Sequence, residues 1–562
     1  MPLLLGLRMD LAMASYWTII PGLVLTASYF ISNNASKWII VVSYYLLGIA
    51  SAIIITSDCE LYKHWGYRMD LSPLFMIGKE TAASVSAIAA IRLLSVLIFL
   101  MTGLWMLMRK FIHPNLIFAT GTGRQAIGMF FITAILFIPI RGGLGVAPLN
   151  TGVVYFHKTK SYPNHAGINV VWSFMENVSS NNKYQYETNL METDVAQKIF
   201  SDITHSTDST HLVLNQPKPN IILIIVESFT AKVIEPLGGL KGITPNLNQL
   251  CKEGVLFENF YASGDRTHKG LVSILSGYPA QPKTSIIKSP RKTESLPFLP
   301  ATLKTIGYHT SFVYGGDVGF ANMESYLTFS GYSHISQDKD FDTKLNTAKW
   351  GVRDEHLFKR ALTEIDSAQT PFFKTILTLS SHEPFDVPNV SSTMSDSEKF
   401  LMSCSYTDQW LGNFIKDAKQ KDWWQNTLVV ITADHGHRAP ANEPYYESSR
   451  FKIPMLWIGG AVKSSLRINT AGSQTDIVAT LLSQMKINAN EFVFSKDLLR
   501  LGAASYAIYY FTNGFGYIDE TTELVYDFDA RNYLTKKNLT STEPMQRSMA
   551  YSQILFTDYN KR

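Results

Sequence analysis

Four apolar runs lie within the first 140 residues of this 562-residue chain. Three of them approach the roughly 20 residues that a helix needs to cross about 30 Å of hydrocarbon, and the fourth is shorter. No small-residue cleavage site of the kind that ends a signal peptide follows the first run. We therefore predict an N-terminal transmembrane helical bundle of about four spans over residues 1–142. The runs are Leu11–Ile31, Trp38–Thr56, Val85–Met108 and roughly Gln125–Ile140.

The charge distribution supports a membrane segment and argues against a nucleic-acid partner. Only 17% of the residues are charged, against about 25% in soluble domains, and the formal net charge is +4. Residues 1–145 carry ten Lys and Arg and five Asp and Glu, whereas the remaining 417 residues carry 40 and 41. The basic excess therefore lies in the most apolar quarter of the chain. The three cysteines, Cys59, Cys251 and Cys404, are too few and too scattered for a disulfide scaffold or a cysteine zinc site.

Basic residues between the third and fourth runs set the expected orientation. Arg109, Lys110 and Arg124 occur there with no acidic residue among them, which predicts a cytoplasmic loop. The fourth span then exits on the outer side, and the large C-terminal part is extracytoplasmic. The 58–81 loop falls on the same side, where it fits a surface facing lipid headgroups or a plain solvated connector. Arg92, near the outer end of the third run, is expected to snorkel to the interface.

The pattern changes twice after the membrane segment. Residues 143–216 are punctuated by GGLG, SYPNH and SSNNK, and we interpret them as a linker with short interfacial helices. Over 217–500, short apolar runs alternate with helix-like segments such as Pro300–Thr305, Asp354–Glu364 and Cys404–Lys416, which predicts a mostly parallel sheet with helices on both faces. Residues 501–562 predict a small antiparallel β piece. The predicted strands are Ile221–Val226, Ser311–Tyr314, Phe373–Leu379, Leu428–Thr432 and Ile453–Ile458.

Two predicted strands end in residues that bind metals. Glu227 follows NIILIIV, and Asp434 and His435 follow TLVVITA. Ligands of open α/β sheets bind outside the carboxyl ends of the strands. Carboxylate oxygens and one imidazole suit Mn²⁺, Zn²⁺ or Mg²⁺. Each residue alone has a simpler explanation, as a helix cap or a turn, but the pair at strand ends of one sheet favours a metal site.

A third polar segment, SGDRTHKGLVSILSGYP, leads into an apolar helical stretch, Leu271–Leu275. Thr267 is expected at or just before a helix N-terminus, where backbone N–H groups and the helix dipole favour anions. Beside a divalent cation its hydroxyl can act as a nucleophile on phosphate. The alternative is a plain threonine N-cap. Arg266 and Lys269 either contact the phosphate or are solvated.

Two more segments place polar groups beyond strands. His382 follows a strand in LTLSSHEPF, and Asp317 lies in the Gly-rich loop of VYGGDVGFANM. Each is interpreted as a group that holds a headgroup or donates a proton, with an ordinary surface position as the alternative for the histidine. His437 and Arg438, directly after the DHG turn, are further candidates.

Together these motifs resemble the lipoteichoic acid synthase-like branch of the alkaline phosphatase/sulfatase superfamily. The resemblance covers nearly the whole chain, since that branch also has a multi-span N-terminal domain, and it implies an alkaline phosphatase-like α/β domain. By position, it implies His382 as a substrate-binding histidine and Thr267 as the nucleophile. The metal ligands that it implies are Glu227, Thr267, Asp434 and His435.

The headgroup segment departs from this family. The resemblance implies substrate contacts from Asp317, Phe320 and Asn322, but the family reads F-W-N-R where this chain reads FANM. Ala321 and Met323 thus replace a tryptophan and an arginine. The donor headgroup is therefore left open between phosphoglycerol and phosphoethanolamine.

Spacing separates the chain from sulfatases. Gly277 follows Thr267 by ten residues, as the glycine follows the modified cysteine in the sulfatase pattern C-x-P-x-R…T-G. Threonine cannot become formylglycine, and Lys269 and Leu271 replace the proline and arginine, so sulfate-ester hydrolysis is not expected. Phosphoethanolamine transferases also use threonine but usually carry more extracytoplasmic cysteines, so they rank second. The family has five spans and GLRMDL at 6–11 resembles the loop after the first, so the chain is expected to begin one helix late, with its N-terminus outside.

The sequence thus predicts an enzyme of the bacterial cytoplasmic membrane with an extracytoplasmic (periplasmic) catalytic domain. It would move phosphoglycerol from phosphatidylglycerol to a glycan or polyglycerophosphate acceptor through a phosphothreonine, with one divalent ion, Mn²⁺ before Zn²⁺ or Mg²⁺. The alternatives are a phosphoethanolamine transferase, a phosphodiester or sulfatase-like hydrolase, and a membrane sensor with a degenerate catalytic domain.

Overall fold

The chain divides into two compact units in the computed structural model. One comprises Met1–Tyr184 with Asp529–Asn532, and the other Gln185–Phe528 with Tyr533–Arg562. The division falls inside the segment 143–216 that we interpreted as a linker. The described residues are 2–66, 68–69, 87–113, 116, 123–144, 149, 151–154, 161–180, 186–204 and 209–562.

Four helices of the first unit are long and apolar enough to cross a membrane, as predicted: Pro2–Ala27, Asn33–Lys63, Ala90–Ile112 and Gly123–Arg141. The first begins at Pro2 rather than Leu11. Much of the 58–81 loop lies outside the described residues, as do the first two residues of the predicted run Val85–Met108. The helices of this bundle are α1 (Pro2–Ala27), α2 (Asn33–Trp65), α3 (Ala87–Leu107), α4 (Gly123–Ile135) and α5 (Phe137–Arg141), and α3 continues as a π-turn over Met108–Ile112.

The start of the predicted linker packs within the first unit. It contributes two short helices, α6 (Ser161–His165) and α7 (Val170–Ser180). Trp172 of α7 is buried in an apolar cluster with Met9 and Ala12 of α1, so this segment shares a core with the first apolar helix. Arg92 is not a lone cation, because its Nη2 lies 3.1 Å from Glu60 Oε2.

An eight-stranded sheet forms the centre of the second unit. Its strand order is β5-β4-β6-β1-β7-β8-β2-β9, and all neighbours pair in parallel except those of β8. Strand β1 (NIILIIV) is buried at every position, as expected for a central parallel strand covered on both faces. The strands are β1 (Asn220–Val226), β2 (Val255–Phe257), β4 (His309–Tyr314), β5 (His334–Ser336), β6 (Phe372–Leu377), β7 (Thr427–Ala433), β8 (Met455–Ile458) and β9 (Leu466–Ile468).

Ten α-helices of the second unit alternate with these strands or follow them, among the residues that the structure describes. The predicted helices at 300–305, 354–364 and 404–416 all lie within observed ones. The helices are α8 (Thr193–Thr204), α9 (Pro245–Glu253), α10 (Thr267–Ser276), α11 (Pro290–Thr293), α12 (Leu299–Thr305), α13 (Met323–Phe329), α14 (Asp354–Asp366), α15 (Asp396–Ala418), α16 (Asp476–Gln484) and α17 (Glu543–Lys561).

The predicted C-terminal antiparallel piece is a four-stranded sheet of consecutive strands, which confirms the expected fold class. The piece also ends in helix α17, which the sequence analysis did not anticipate. Tyr186 stacks on Phe556 of this helix with ring centroids 4.3 Å apart, so the segment before α8 is fastened to the end of the chain. The strands are β11 (Tyr506–Phe511), β12 (Gly514–Asp519), β13 (Glu523–Asp527) and β14 (Asn532–Lys537), and β3 (Phe260–Tyr261) pairs with β10 (Gly472–Ser473).

Four parallel strands decide where the polar motifs meet. Strands β4, β6, β1 and β7 lie side by side and run in one direction. Their carboxyl ends therefore share one edge of the sheet, and the candidate site lies there.

Candidate functional site

Glu227 is the first residue after β1, and its side chain is 1% exposed. Its backbone N–H donates to Thr378 Oγ1 at 2.9 Å, beyond the end of the neighbouring β6. Ser228 follows with a left-handed backbone (φ 56°) and donates its hydroxyl to Glu227 Oε1 at 2.7 Å. A left-handed serine costs energy, and such strain is common where a chain must turn sharply at a functional site. The turn keeps the Glu227 carboxylate at the sheet edge.

Asp434 and His435 occupy the same edge, at the end of β7. Asp434 Oδ1 accepts hydrogen bonds from the backbone N–H groups of Ser228 (2.7 Å) and His435 (2.8 Å), which ties β7 to β1. His435 Nδ1 lies 2.8 Å from the carbonyl oxygen of Gly436, so Nδ1 carries the proton. The lone pair of Nε2 is left facing the two carboxylates, 3.6 Å from Glu227 Oε1 and 3.4 Å from Asp434 Oδ2.

Thr267 completes the cluster as the first residue of α10. Its hydroxyl donates to Glu227 Oε2 at 3.3 Å. The helix reaches this position because residue 270 is glycine: a β-carbon there would stand 2.0 Å from the carbonyl oxygen of Asp434. The structure thus brings together all four residues predicted as metal ligands, with the hydroxyl at a helix N-terminus where anions are favoured.

The donor set fits a divalent cation. One oxygen or nitrogen from each of Glu227, Asp434 and His435 lies within 4.8 Å of the others. Asp434 Oδ2 is buried and has no hydrogen-bond partner among the described residues. Burial raises the pKa of Glu227 well above its ordinary value, and the Asp434 carboxylate raises it further. Two buried carboxylates without a lysine or arginine partner in the described structure, beside an imidazole nitrogen, form a donor set whose burial a bound cation would offset.

His382 lies next to this cluster, beyond the end of β6. Its ring is buried, which lowers its pKa, and its Nδ1 lies 2.7 Å from the carbonyl oxygen of Glu383. The Trp350 ring packs edge-on against it, with centroids 4.6 Å apart. The imidazole is therefore fixed with its Nδ1 occupied and its Nε2 available.

The two further candidates after the DHG turn approach Glu383. His437 stacks on Phe400 at 4.1 Å and has its Nε2 3.9 Å from Glu383 Oε1. Arg438 Nη2 lies 3.4 Å from the same carboxylate oxygen. Glu383 was missed by the sequence analysis, although it stands inside the SHEPF motif that was quoted.

The predicted headgroup segment, residues 317–323, presents few side-chain groups that are free to contact a substrate among its described residues. Asp317 Oδ1 accepts a hydrogen bond from Gly319 N–H at 2.7 Å, so this exposed carboxylate closes its own turn. Phe320 lies 6.1 Å from the Trp350 ring. Met323, in the place of the family's arginine, is 1% exposed inside the fold. The side chain of Asn322 lies outside the described part of the structure.

The basic residues flanking Thr267 interact with Asp265. Lys269 Nζ lies 3.1 Å from Asp265 Oδ1, and Arg266 Nη1 donates to the Asp265 carbonyl oxygen at 3.0 Å. Burial alone would raise the pKa of Asp265, but the charges of Lys269 and Arg266 hold it well below its usual range. Phosphate contacts from these two cations remain predictions.

The residues that orient the site had no motif of their own. Gln474 donates to the carbonyl oxygens of Ala433 and Asp434, both at 2.7 Å, and fixes the turn that carries His435. Ser381 donates to the carbonyl oxygen of Glu227 at 2.5 Å. Only the folded chain brings these amide and hydroxyl groups to the cluster, so no local signal could have identified them.

Comparison with known proteins finds a family model and several relatives similar to this chain. The model of the family named Sulfatase matches residues 219–487. A lipoteichoic acid synthase-like protein of Bacillus subtilis, YvgJ, is 22% identical over 394 residues, 61% of this chain and 64% of the relative. Lipoteichoic acid synthase of Staphylococcus aureus is 25% identical over 376 residues, 58% of this chain and 56% of the relative. The chain spans about half to two thirds of the length of such curated relatives.

Solved structures agree on the fold. A protein of the alkaline phosphatase superfamily from Vibrio parahaemolyticus superposes with a TM-score of 0.59 and 25% identity, over 67% of this chain and 98% of that one. Lipoteichoic acid synthase LtaP of Listeria monocytogenes gives 0.54 and 19%, over 66% and 98%. These comparisons bear out the resemblance stated from the motifs: residues 219–487 match the Sulfatase family model, and the fold is similar to that of an alkaline phosphatase superfamily protein.

Proposed function

We propose that this protein is a membrane-anchored, metal-dependent phosphotransferase that moves phosphoglycerol from phosphatidylglycerol to an extracytoplasmic glycan or polyglycerophosphate acceptor. The observation that carries the proposal is the Thr267 hydroxyl, 3.3 Å from Glu227 Oε2 at the start of α10, beside Asp434 and His435. The relatives named as lipoteichoic acid synthases support the choice of phosphoglycerol.

In the first displacement the Thr267 oxygen attacks the phosphorus of the lipid. The Oγ1–P bond forms as the bond between phosphorus and the diacylglycerol oxygen breaks. The proton that the threonine hydroxyl loses is balanced by the one that the diacylglycerol oxygen gains. The product is a phosphoglycerol ester of Thr267, held at a helix N-terminus whose N–H groups favour its negative charge.

In the second displacement an acceptor hydroxyl attacks the same phosphorus. The bond to Thr267 breaks, the threonine oxygen regains a proton, and the acceptor hydroxyl loses one. His382 would contact substrate through Nε2, because its Nδ1–H is engaged by the Glu383 carbonyl. Desolvation lowers the pKa of the ring and favours its neutral form, so Nε2 accepts a hydrogen bond and its partner would be a hydroxyl of the headgroup or of the acceptor.

A divalent ion, of which Mn²⁺ is our first choice and Zn²⁺ and Mg²⁺ the alternatives, would supply Lewis-acid stabilisation of the phosphoryl oxygens and lower the pKa of the threonine hydroxyl. Glu227, Thr267, Asp434 and His435 would hold it. Ser228 and Gln474 keep these side chains in place through the hydrogen bonds described above.

The localisation follows from the sequence and is part of the proposal. The four apolar helices anchor the chain in the bacterial cytoplasmic membrane, and the basic loop between the third and fourth spans puts the catalytic domain on the outer face. A donor lipid of the outer leaflet would then supply the substrate.

The test uses the full-length protein in vesicles containing phosphatidylglycerol labelled in its glycerol headgroup, with Mn²⁺ present. We expect diacylglycerol release and label bound to the wild-type protein. Thr267→Ala should lose both, Thr267→Ser should retain part of both, and Thr305→Ala on the surface of α12 serves as the matched control. Release at the wild-type rate by Thr267→Ala would refute the threonine mechanism.

The products separate the proposal from its alternatives. Free glycerol phosphate without a modified acceptor would favour a phosphodiester hydrolase. Turnover of phosphatidylethanolamine but not phosphatidylglycerol would favour a phosphoethanolamine transferase. Failure to turn over either lipid, or any phosphodiester, would leave the degenerate sensor as the better description.

A further inference from the structure

An aromatic residue from outside every predicted motif stands between the two parts of the presumed headgroup subsite. The Trp350 ring lies 4.6 Å from the His382 ring and 6.1 Å from the Phe320 ring, both in edge-to-face arrangements. Its side chain and that of the histidine beside it are both partly exposed. The indole therefore joins the SHEPF loop to the Gly-rich loop after β4.

One carbonyl oxygen fixes both rings. The indole Nε1–H of Trp350 donates to the Glu383 oxygen at 2.6 Å, and His382 Nδ1 lies 2.7 Å from the same atom. A shared acceptor leaves neither ring free to rotate without breaking a short hydrogen bond. The orientation of the indole is thus coupled to the orientation of the imidazole.

A close contact between glycines explains how Trp350, which belongs to neither the SHEPF loop nor the Gly-rich loop, lies between them. Gly351 has φ 140°, and a β-carbon there would stand 2.1 Å from the carbonyl oxygen of Gly315. The backbone N–H of Val352 donates to that same oxygen at 2.8 Å. The two glycines of VYGGD and the glycine after Trp350 therefore let two backbones meet without side chains between them.

The other flank of the tryptophan is fastened to Asp386. Lys349 N–H donates to Asp386 Oδ2 at 3.1 Å, and Arg353 binds Asp386 through Nη2 to Oδ1 (3.1 Å) and Nε to the carbonyl oxygen (2.9 Å). The loop that carries Trp350 is held on both sides, so its aromatic face is preorganised rather than recruited on binding.

The neighbouring headgroup segment lacks the bulky groups that would otherwise fill this space. Ala321 takes a left-handed conformation (φ 50°, ψ 27°) and offers one methyl group, and Met323 is buried. Position 321, where the family has a tryptophan, offers no aromatic ring here. Trp350 supplies one instead.

We propose that Trp350 is a specificity-determining residue whose indole face packs against the carbon skeleton of the glycerol headgroup of the donor lipid. This inference rests on the proposed function and names the residue that reads its substrate. Aromatic faces pack well on the C–H groups of polyols, while the hydroxyls remain free for polar partners. The Glu383 carboxylate of the same loop already lies 3.4 Å from the Arg438 guanidinium, so it is partly neutralised as a partner for an ammonium headgroup.

The test compares two substrates in the full-length protein. Phosphatidylglycerol carries the glycerol headgroup, and bis(p-nitrophenyl) phosphate is a phosphodiester without one. We expect Trp350→Ala to raise the KM for phosphatidylglycerol about tenfold with little change in kcat, and to impair bis(p-nitrophenyl) phosphate turnover several-fold less, because that substrate would lose only the orientation of His382. Trp350→Phe should recover most of the loss. Trp410→Ala, on α15, is the matched control.

The outcomes are distinguishable. An unchanged KM for phosphatidylglycerol in Trp350→Ala overturns the inference, and so does an equal loss on both substrates, which would indicate a structural role. Larger losses with phosphatidylethanolamine than with phosphatidylglycerol would overturn the assignment to glycerol. A wild-type protein that turns over bis(p-nitrophenyl) phosphate but neither lipid would refute the proposed function, and the inference with it.

Discussion

Gly270 of α10 lies against the backbone of Asp434, so close that a β-carbon at position 270 would stand 2.0 Å from the Asp434 carbonyl oxygen and 3.1 Å from its α-carbon. This contact determines how closely α10 packs against the end of β7. Because Thr267 is the first residue of the same helix, the distance between its hydroxyl and the carboxylates depends on the absence of one methyl group.

Gly270→Ala is therefore expected to displace Thr267 from Glu227. The neighbour is backbone rather than a flexible side chain, so the helix itself must shift, at a cost of about 1–3 kcal/mol. A displacement of about 1 Å in a catalytic group costs roughly 100-fold in rate. Diacylglycerol release and a denaturant titration would measure the two effects. Gly128→Ala in α4 is the matched control, since a β-carbon there meets nothing within 4 Å.

Metal binding can be tested without relying on activity. Full-length protein stripped with EDTA should gain thermal stability on addition of Mn²⁺, by about 2.7 kcal/mol at 100 times the dissociation constant. Asp434→Asn removes one of two buried carboxylates and should abolish the gain, and bound metal measured by mass spectrometry should fall with it. Asp417→Asn, exposed on α15, should behave as wild type. A stability gain in Asp434→Asn equal to that of wild type would contradict the assigned site.

The clustering of the candidate metal ligands was predictable because its signals are local. Glu227, Asp434 and His435 each follow a continuous apolar run, and parallel strands must present their carboxyl ends at one edge. Thr267 was also marked locally, by the apolar helix that follows it. Glu227, Thr267 and the Asp434–His435 pair are far apart in the chain, and the sheet edge together with the contact between α10 and Asp434 brings them to one place.

What could not be predicted depends on contacts between distant segments. Trp350 has no pattern around it, and its position depends on the contact of Gly351 with Gly315 and on its own hydrogen bond to the Glu383 carbonyl. Strand β8 runs antiparallel to its neighbours, which a buried apolar run cannot encode. The strands β2, β3, β5, β9 and β10 are two or three residues long and too short for a periodic signal.

The turn at the end of β7 is held by hydrogen bonds from the Gln474 side chain, and a substitution there measures how much the turn depends on them. Its amide donates to two carbonyl oxygens of that turn and accepts from Ser263 N–H at 2.9 Å. Gln474→Glu keeps the shape but replaces the donor with an acceptor that faces two carbonyls. We expect a loss of about 1–3 kcal/mol in unfolding free energy and weaker Mn²⁺ binding. Gln420→Glu, exposed after α15, is the control, and unchanged metal affinity in Gln474→Glu would show that the turn holds without this amide.

His165 makes the stability of the first unit depend on pH. Its ring is buried, its Nδ1 lies 3.1 Å from the Tyr62 hydroxyl, and the Arg68 guanidinium donates to its carbonyl oxygen at 2.9 Å. Burial, followed by the charge of Arg68, lowers the pKa of His165 to about 4 from 6.5. As the pH falls below 6.5, His165 becomes protonated in the unfolded chain but stays neutral in the folded state. The stabilisation is therefore complete above pH 6.5 and declines by about 1.4 kcal/mol per pH unit until the folded ring titrates near 4. In detergent-solubilised protein, the unfolding free energy measured between pH 7.5 and pH 5 should decline with this slope. In His165→Asn the decline should correspond to about one proton less. An equal slope in both proteins would mean that another group titrates.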